Sequence, residues 1–184
     1  MGIKQTLDVI NDMEREGVIG RYAIGGAVAA YNYVEPAVTE DLDILVSFEK
    51  TSPSGLVSLQ PILEYLRHRG YMKFDKEGVL VEGWPVQFLP VASPLDDEAL
   101  AKSEKIGIRA NGGKVQARLL LPEHLVAIAV QLGRPKDHLR ITQFLKEKAV
   151  NLKRLKTTLA RHKLDQAWKA FCKRTGTPDP LAPK

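Results

Sequence analysis

The strongest constraint on this chain is a pair of acids set at the head of an aliphatic run. Asp41 and Asp43 stand two residues apart in Thr39-Glu40-Asp41-Leu42-Asp43-Ile44, where the aliphatics of 42–48 predict a central strand. Residues i and i+2 of a strand share a face, so both carboxylates project the same way. Like charges at that spacing repel, and their ordinary compensation is a hard divalent cation bound through oxygen. Upstream, with fourteen residues between Gly26 and Asp41, lies Gly25-Gly26, between a short apolar segment at 21–24 and a helical one at 27–33 that Pro36 ends. Glycines at a strand-to-helix turn let backbone N–H groups approach an anion closely. Each piece alone is common. Their order and spacing together point to metal-assisted chemistry on a phosphate.

The rest of the chain predicts an α+β fold, a mixed β-sheet flanked by helices with a helical unit after it. Ile3, Leu7, Ile10 and Met13 recur at helical spacing, with Gly17 as the stop. Ser52 or Ser54 offers a cap for a helix carrying Leu56, Leu59, Leu63 and Leu66 inward, ended by Gly70. Strands are expected at 79–82 and 86–91, joined at Gly83-Trp84-Pro85. Ser93-Pro94-Leu95-Asp96 supplies a capping serine, a first-turn proline and an acid near the positive end of a helix. Asn111-Gly112-Gly113 between 106–110 and 115–121 is a hairpin signal. Pro122-Glu123 opens a helix through Leu132, and three amphipathic helices follow near 136–148, 151–162 and 164–174. The expected division is an α/β core at 1–121, a basic helical unit at 122–176 and a flexible tail at 177–184.

Charge separates the two larger units. Residues 1–133 carry 13 basic and 18 acidic side chains, whereas 134–174 carry 13 basic and only 3 acidic. That asymmetry suits a polyanionic partner or a phosphate-bearing substrate, and equally a solvated lysine-rich helix face. No apolar run reaches the ~18 residues of a membrane span, and the alternating N-terminus reads as neither signal nor transit peptide. The expectation is a cytoplasmic protein with no membrane association. A lone cysteine, Cys172, excludes a disulfide framework and reads as a packed residue. Trp168 and Phe171 share a core stripe. The four histidines show no paired spacing for a metal and read as surface residues. Trp84 fits either a cover for its hairpin or a platform for a base.

The Gly25-Gly26 and Thr39-Glu40-Asp41-Leu42-Asp43 elements resemble the nucleotidyltransferase superfamily typified by DNA polymerase β. Its members open a helix with Gly-Gly or Gly-Ser and carry Thr-x-Asp-hydrophobic-Asp on the next strand. The likeness is closer to minimal bacterial members, including abortive-infection toxin nucleotidyltransferases. Those carry a helix ending in Gly-Arg-x-Lys-Asp, matched here by Leu121-Pro122-Glu123-His124-Leu125 through Gly133-Arg134-Pro135-Lys136-Asp137. The resemblance spans roughly residues 18–145. It implies transfer of a nucleoside monophosphate from an NTP to a hydroxyl, with pyrophosphate released. Asp41 and Asp43 would hold Mg2+ or Mn2+, and Gly25, Gly26, Thr39, Arg134 and Lys136 would contact the nucleotide. RNA or another polyanionic acceptor would face the basic C-terminal helices, and a toxin-like member would have a cognate antitoxin.

Two positions depart from that pattern. The family's third carboxylate falls in a segment like Val86-Gln87-Phe88-Leu89, where this chain has Gln87, an amide that cannot serve as a general base. Glu82, on the neighbouring strand, is the candidate replacement, reaching the acidic pair if Leu80 pairs near Gln87. The toxin-like lysine within the helix before Gly-Arg-x-Lys-Asp corresponds to Ala129. Two readings therefore stay open: an active nucleotidyltransferase, or a catalytically silent module of that fold binding nucleotide, nucleic acid or a partner protein. In a third, residues 134–174 bind nucleic acid electrostatically.

Overall fold

The structure is a computed structural model that describes residues 2–36, 39, 41–48, 58–110 and 113–182. Ser52, Ser54 and Leu56, and the turn residues Asn111 and Gly112, lie outside them. Helix α1 (Ile3–Arg15) buries Leu7, Ile10 and Met13. Strand β1 (Tyr22–Ile24), fully buried, runs into the short helix α2 (Gly26–Ala30), followed by β2 (Leu42–Val46) and α3 (Gln60–His68). Next come β3 (Phe74–Asp75), β4 (Gly78–Val81), β5 (Trp84–Pro90) and α4 (Pro94–Ala101). The hairpin of β6 (Glu104–Ala110) and β7 (Gly113–Leu119) leads to α5 (Pro122–Leu132), α6 (Pro135–Lys146), α7 (Leu152–Arg161) and α8 (Asp165–Thr175).

The strands form one mixed sheet in the order β3-β4-β5-β2-β1-β7-β6. β2 sits near its centre, antiparallel to β1 and parallel to β5, in a register that sets Leu42 opposite Val86 and Asp43 opposite Gln87. Parallel neighbours need a crossover, which α3 and the β3–β4 hairpin supply. β2 explains its own place: Leu42, Ile44, Leu45 and Val46 are buried, as a strand covered on both faces requires. Asp43 is the polar interruption.

One hydrophobic cluster runs from α1 through the sheet into the C-terminal helices, joining Leu7 and Ile44 to Phe144, Leu155 and Trp168. α5 packs on α2 and α4 as well as on α6, α7 and α8. The described part of the tail lies against the last helices: Trp168 Nε1 donates to Asp179 Oδ1 at 2.8 Å, and Lys156 Nζ donates to the Leu181 carbonyl at 3.1 Å.

Three local expectations change. The β4–β5 connection is the two-residue turn Glu82-Gly83, both at positive φ (50° and 90°), because Val81 pairs with Trp84. Positive φ at both central residues suits the twist of a tight hairpin. Trp84 therefore belongs to β5 and packs, half-buried, on the core. The two-residue edge strand β3 gave no sequence signal, because both its side chains are exposed and it shows no alternation. His124 is buried at the start of α5, not on the surface, and His162 is mostly covered.

Candidate active site

The site begins where β1 stops. Gly25 donates its N–H to the Asp43 carbonyl at 2.9 Å, and Gly26 takes φ +56° to open α2. A Cβ at Gly26 would lie 1.8 Å from Asp43 Oδ2, so only glycine lets this turn rest on that carboxylate. Thr39 closes the other side: its hydroxyl donates to Asp41 Oδ1 at 3.0 Å, and its Oγ1 lies 3.3 Å from the Asp41 carbonyl. Burial raises the Asp43 carboxyl above its ordinary range, and the Asp41 charge adds to that rise. Arg140, Lys136 and Arg134 oppose it, in that order.

Those cations come from the start of α6, where one acid holds Arg134 and lies near Arg140. Asp137 is completely buried, caps the helix by accepting from the Arg134 N–H at 3.2 Å, and takes a two-pronged bond from the Arg134 side chain. The prongs are Nε to Oδ2 at 2.7 Å and Nη2 to Oδ1 at 3.1 Å, a geometry that fixes the guanidinium plane. Arg140 lies one turn on, 3.9 Å from the same carboxylate. Three adjoining cavities of about 450, 240 and 320 Å3 surround the acids. Lys136 lines all three, Asp41 and Asp43 line two each, and Arg134 and Arg140 each line two.

Seven of the eight residues singled out in the sequence therefore meet: Gly25, Gly26, Thr39, Asp41, Asp43, Arg134 and Lys136. Glu82 does not. The tight turn removes it from the strand's alternation, Leu80 pairs with Pro85 instead of near Gln87, and Tyr71 Oη donates to Glu82 Oε1 at 2.5 Å. It lines none of the three cavities. Gln87 occupies the expected third position, directly across from Asp43, and its Nε2 donates to Glu77 Oε2 at 2.7 Å. Ala129 is buried on α5 and lines the second cavity.

The sequence reading passed over Arg140 and Glu77. Arg140 was legible: it stands four residues after Lys136, one helical turn on the same face. Glu77 was not, because only the β3–β4 hairpin brings it to Gln87.

Two solved structures are similar to this chain over most of its length. Over 92% of this chain and 91% of the other, it is similar to the crystal structure of an antigenic nucleotidyltransferase-like protein from Paracoccidioides brasiliensis, at 16% identity and a TM-score of 0.48. Over 93% of this chain and 91% of the other, it is similar to the solution structure of the antibiotic-resistance factor ANT(2'')-Ia, at 17% identity and a TM-score of 0.44. No protein-family model matches the sequence, and no curated protein does. Fold does not fix function, so the chemistry rests on this chain's own residues.

The donor set fits a hard divalent cation. Asp41 and Asp43 offer carboxylate oxygens with Gln87 beside them, and no soft ligand lines the three cavities. Among the described residues no group of three or more His, Cys, Asp or Glu is placed to hold a metal ion by itself. Two carboxylates without a closed protein cage suit magnesium, which keeps waters and shares its remaining positions with substrate phosphates.

Proposed function

We propose that this protein is a nucleotidyltransferase moving a nucleoside monophosphate from an NTP to a hydroxyl, with Mg2+ or Mn2+ on Asp41 and Asp43. The observation that carries this reading is the opposition of two acids, one of them raised by burial and by its neighbour, to three cations across shared cavities. Such a perturbed charge pattern in a cleft marks a functional site. A divalent cation held by Asp41 and Asp43 would supply positive charge to offset the triphosphate and would polarise the acceptor hydroxyl. Arg134, Lys136 and Arg140 face the charge that develops on the departing pyrophosphate. Asp137 holds Arg134 in place before the ligand arrives, Thr39 orients Asp41, and Gly25-Gly26 keeps the backbone close to the reacting phosphates. A toxin-like role with a cognate antitoxin is the finer form of this reading, supported by the Gly133-Arg134-Pro135-Lys136-Asp137 motif alone.

Gln87 favours a second reading, a silent module that binds nucleotide without efficient turnover. It stands in register with Asp43 and is tied to Glu77. Thermal unfolding with magnesium and each NTP separates these readings from having no nucleotide site at all. A ligand at 100 times its Kd adds about 2.7 kcal/mol, roughly 5–10 °C for a domain of this size. The expected result is a metal-dependent shift that Asp41→Asn/Asp43→Asn loses. Product release from a labelled NTP then distinguishes the enzyme from the silent module, and a wild type that shifts with no nucleotide refutes both.

A further inference from the structure

A second cavity, of about 500 Å3, lies between α4, α5 and α7 and shares no lining residue with the three around the acids. His124, in the first turn of α5, lines it, whereas Arg134 follows the last turn, about 15 Å further along the helix axis. Its wall carries Lys102, Lys153, Arg154 and Arg161. Lys102 and Arg161 are bonded to Glu98, but Lys153 and Arg154 have no side-chain partner among the described residues. The acid in the wall, Glu123, is turned inward and accepts from the Asn151 N–H at 2.9 Å. Asn151 in turn caps α7 by accepting from the Arg154 N–H at 3.0 Å. Buried His124 turns Nε2 toward Glu98 and leaves Nδ1 without a partner.

The excess of positive charge is larger than the cavity alone holds. α7 carries Lys153, Arg154, Lys156 and Arg161 and no acid, and α8 adds Lys169, Lys173 and Arg174 against one acid, Asp165. Like charges on one helix destabilise it unless a partner neutralises them. Four cations at one cavity, on helices with a further excess of basic residues, are more than one phosphate needs and match a repeating anion better than a single small one. Arginine forks and lysine ammonium groups suit phosphodiester oxygens.

We infer that this cavity seats backbone phosphates of a nucleic-acid strand, with Lys153 and Arg154 as the principal contacts. Neither metal nor nucleotide enters the inference, so it stands or falls apart from the proposed catalysis. The test is fluorescence anisotropy with labelled oligouridylate and oligodeoxythymidylate of about 20 nucleotides, from 50 to 200 mM salt, a range over which phosphate contacts weaken steeply. Lys153→Ser/Arg154→Ser should weaken binding at least tenfold at the lowest salt and reduce the salt slope by about 1.4, from ~0.7 per lost single-strand contact. Both side chains are exposed, so an unchanged melting temperature certifies the fold. Lys169→Ser/Lys173→Ser, equal in charge but outside the cavity, should cost less, and Asp41→Asn should bind as the wild type does. The inference is overturned if the wild type binds neither strand, or if the two double variants lose equally. It is also overturned if polyglutamate binds as tightly as the strands, or if inorganic phosphate stabilises the protein while the strands do not bind.

Discussion

Two charge clusters in this molecule are built from the same residue types and have opposite characters. Around Glu98, each cation is in contact with the acid: Lys102 donates at 2.7 Å, Arg161 donates to the same oxygen, His162 sits at 2.8 Å and His124 at 3.4 Å. Burial would raise Glu98, yet those bonds hold its carboxyl far below the ordinary range. Around Asp43, burial and Asp41 prevail and the carboxyl is pushed up. Arg140, Lys136 and Arg134 act on it across cavities, and none of them forms an ion pair with it among the described residues. The first cluster has used its charge to join α4, α5 and the end of α7. The second has its charge still available for a ligand.

Removing the acid from the saturated cluster should have the largest effect. Glu98→Ala leaves two half-exposed cations and two covered imidazoles without their acid and is expected to cost about 2–3 kcal/mol, read as a fall of roughly 5–10 °C in Tm. Because the folded-state pKa of Glu98 lies below its ordinary value of 4.5, its stabilisation is present above that pH and fades as pH falls below it. The variant should therefore lose less stability than the wild type between pH 5 and pH 2, on the order of those endpoints. A variant that melts with the wild type would show the Glu98 cluster to be superficial.

A middle-sized effect is expected at the open cluster. Arg140→Met should weaken magnesium–NTP binding about tenfold, or about 1.4 kcal/mol, by calorimetry with a non-hydrolysable analogue. Unchanged affinity would reassign Arg140 to scaffolding of Asp137. The smallest effect carries the opposite sign. Asp43 has a raised folded-state pKa, so its ionisation costs stability at neutral pH, and that cost disappears as pH falls through the raised value. Asp43→Asn should thus melt above the wild type at pH 7 without ligand, and the two should converge below the ordinary value of 3.8. A less stable variant at pH 7 would mean that Asp43 is already satisfied like Glu98.

The same contrast divides what was legible in the sequence. Gly25-Gly26, Thr39, Asp41 and Asp43 could be read because strand alternation and a tight turn place them by local rules. Arg134 and Lys136 could be read from a helix start. Glu82 failed because its side chain depends on one register choice: with Val81 paired to Trp84 it enters a turn at φ +50° and leaves the shared face. Glu98 was not singled out: Lys102 stands one helical turn on, but His124, Arg161 and His162 come from two later segments that no local period announces. His124 was misplaced for the same reason. Long-range pairing of charges leaves little trace in spacing, whereas burial of aliphatics, as in Leu7, Ile44 and Phe144, leaves a strong one.

Asp137 complicates any survey of this protein by loss of activity. It is fully buried, caps α6 and holds Arg134, so its carboxylate is already occupied by bonds within the chain. A screen that scores only product would rank Asp137 beside Asp41 and Asp43. Ranking each variant by melting temperature as well as by turnover sorts them, because the acidic pair can be neutralised without unfolding the domain and Asp137 cannot.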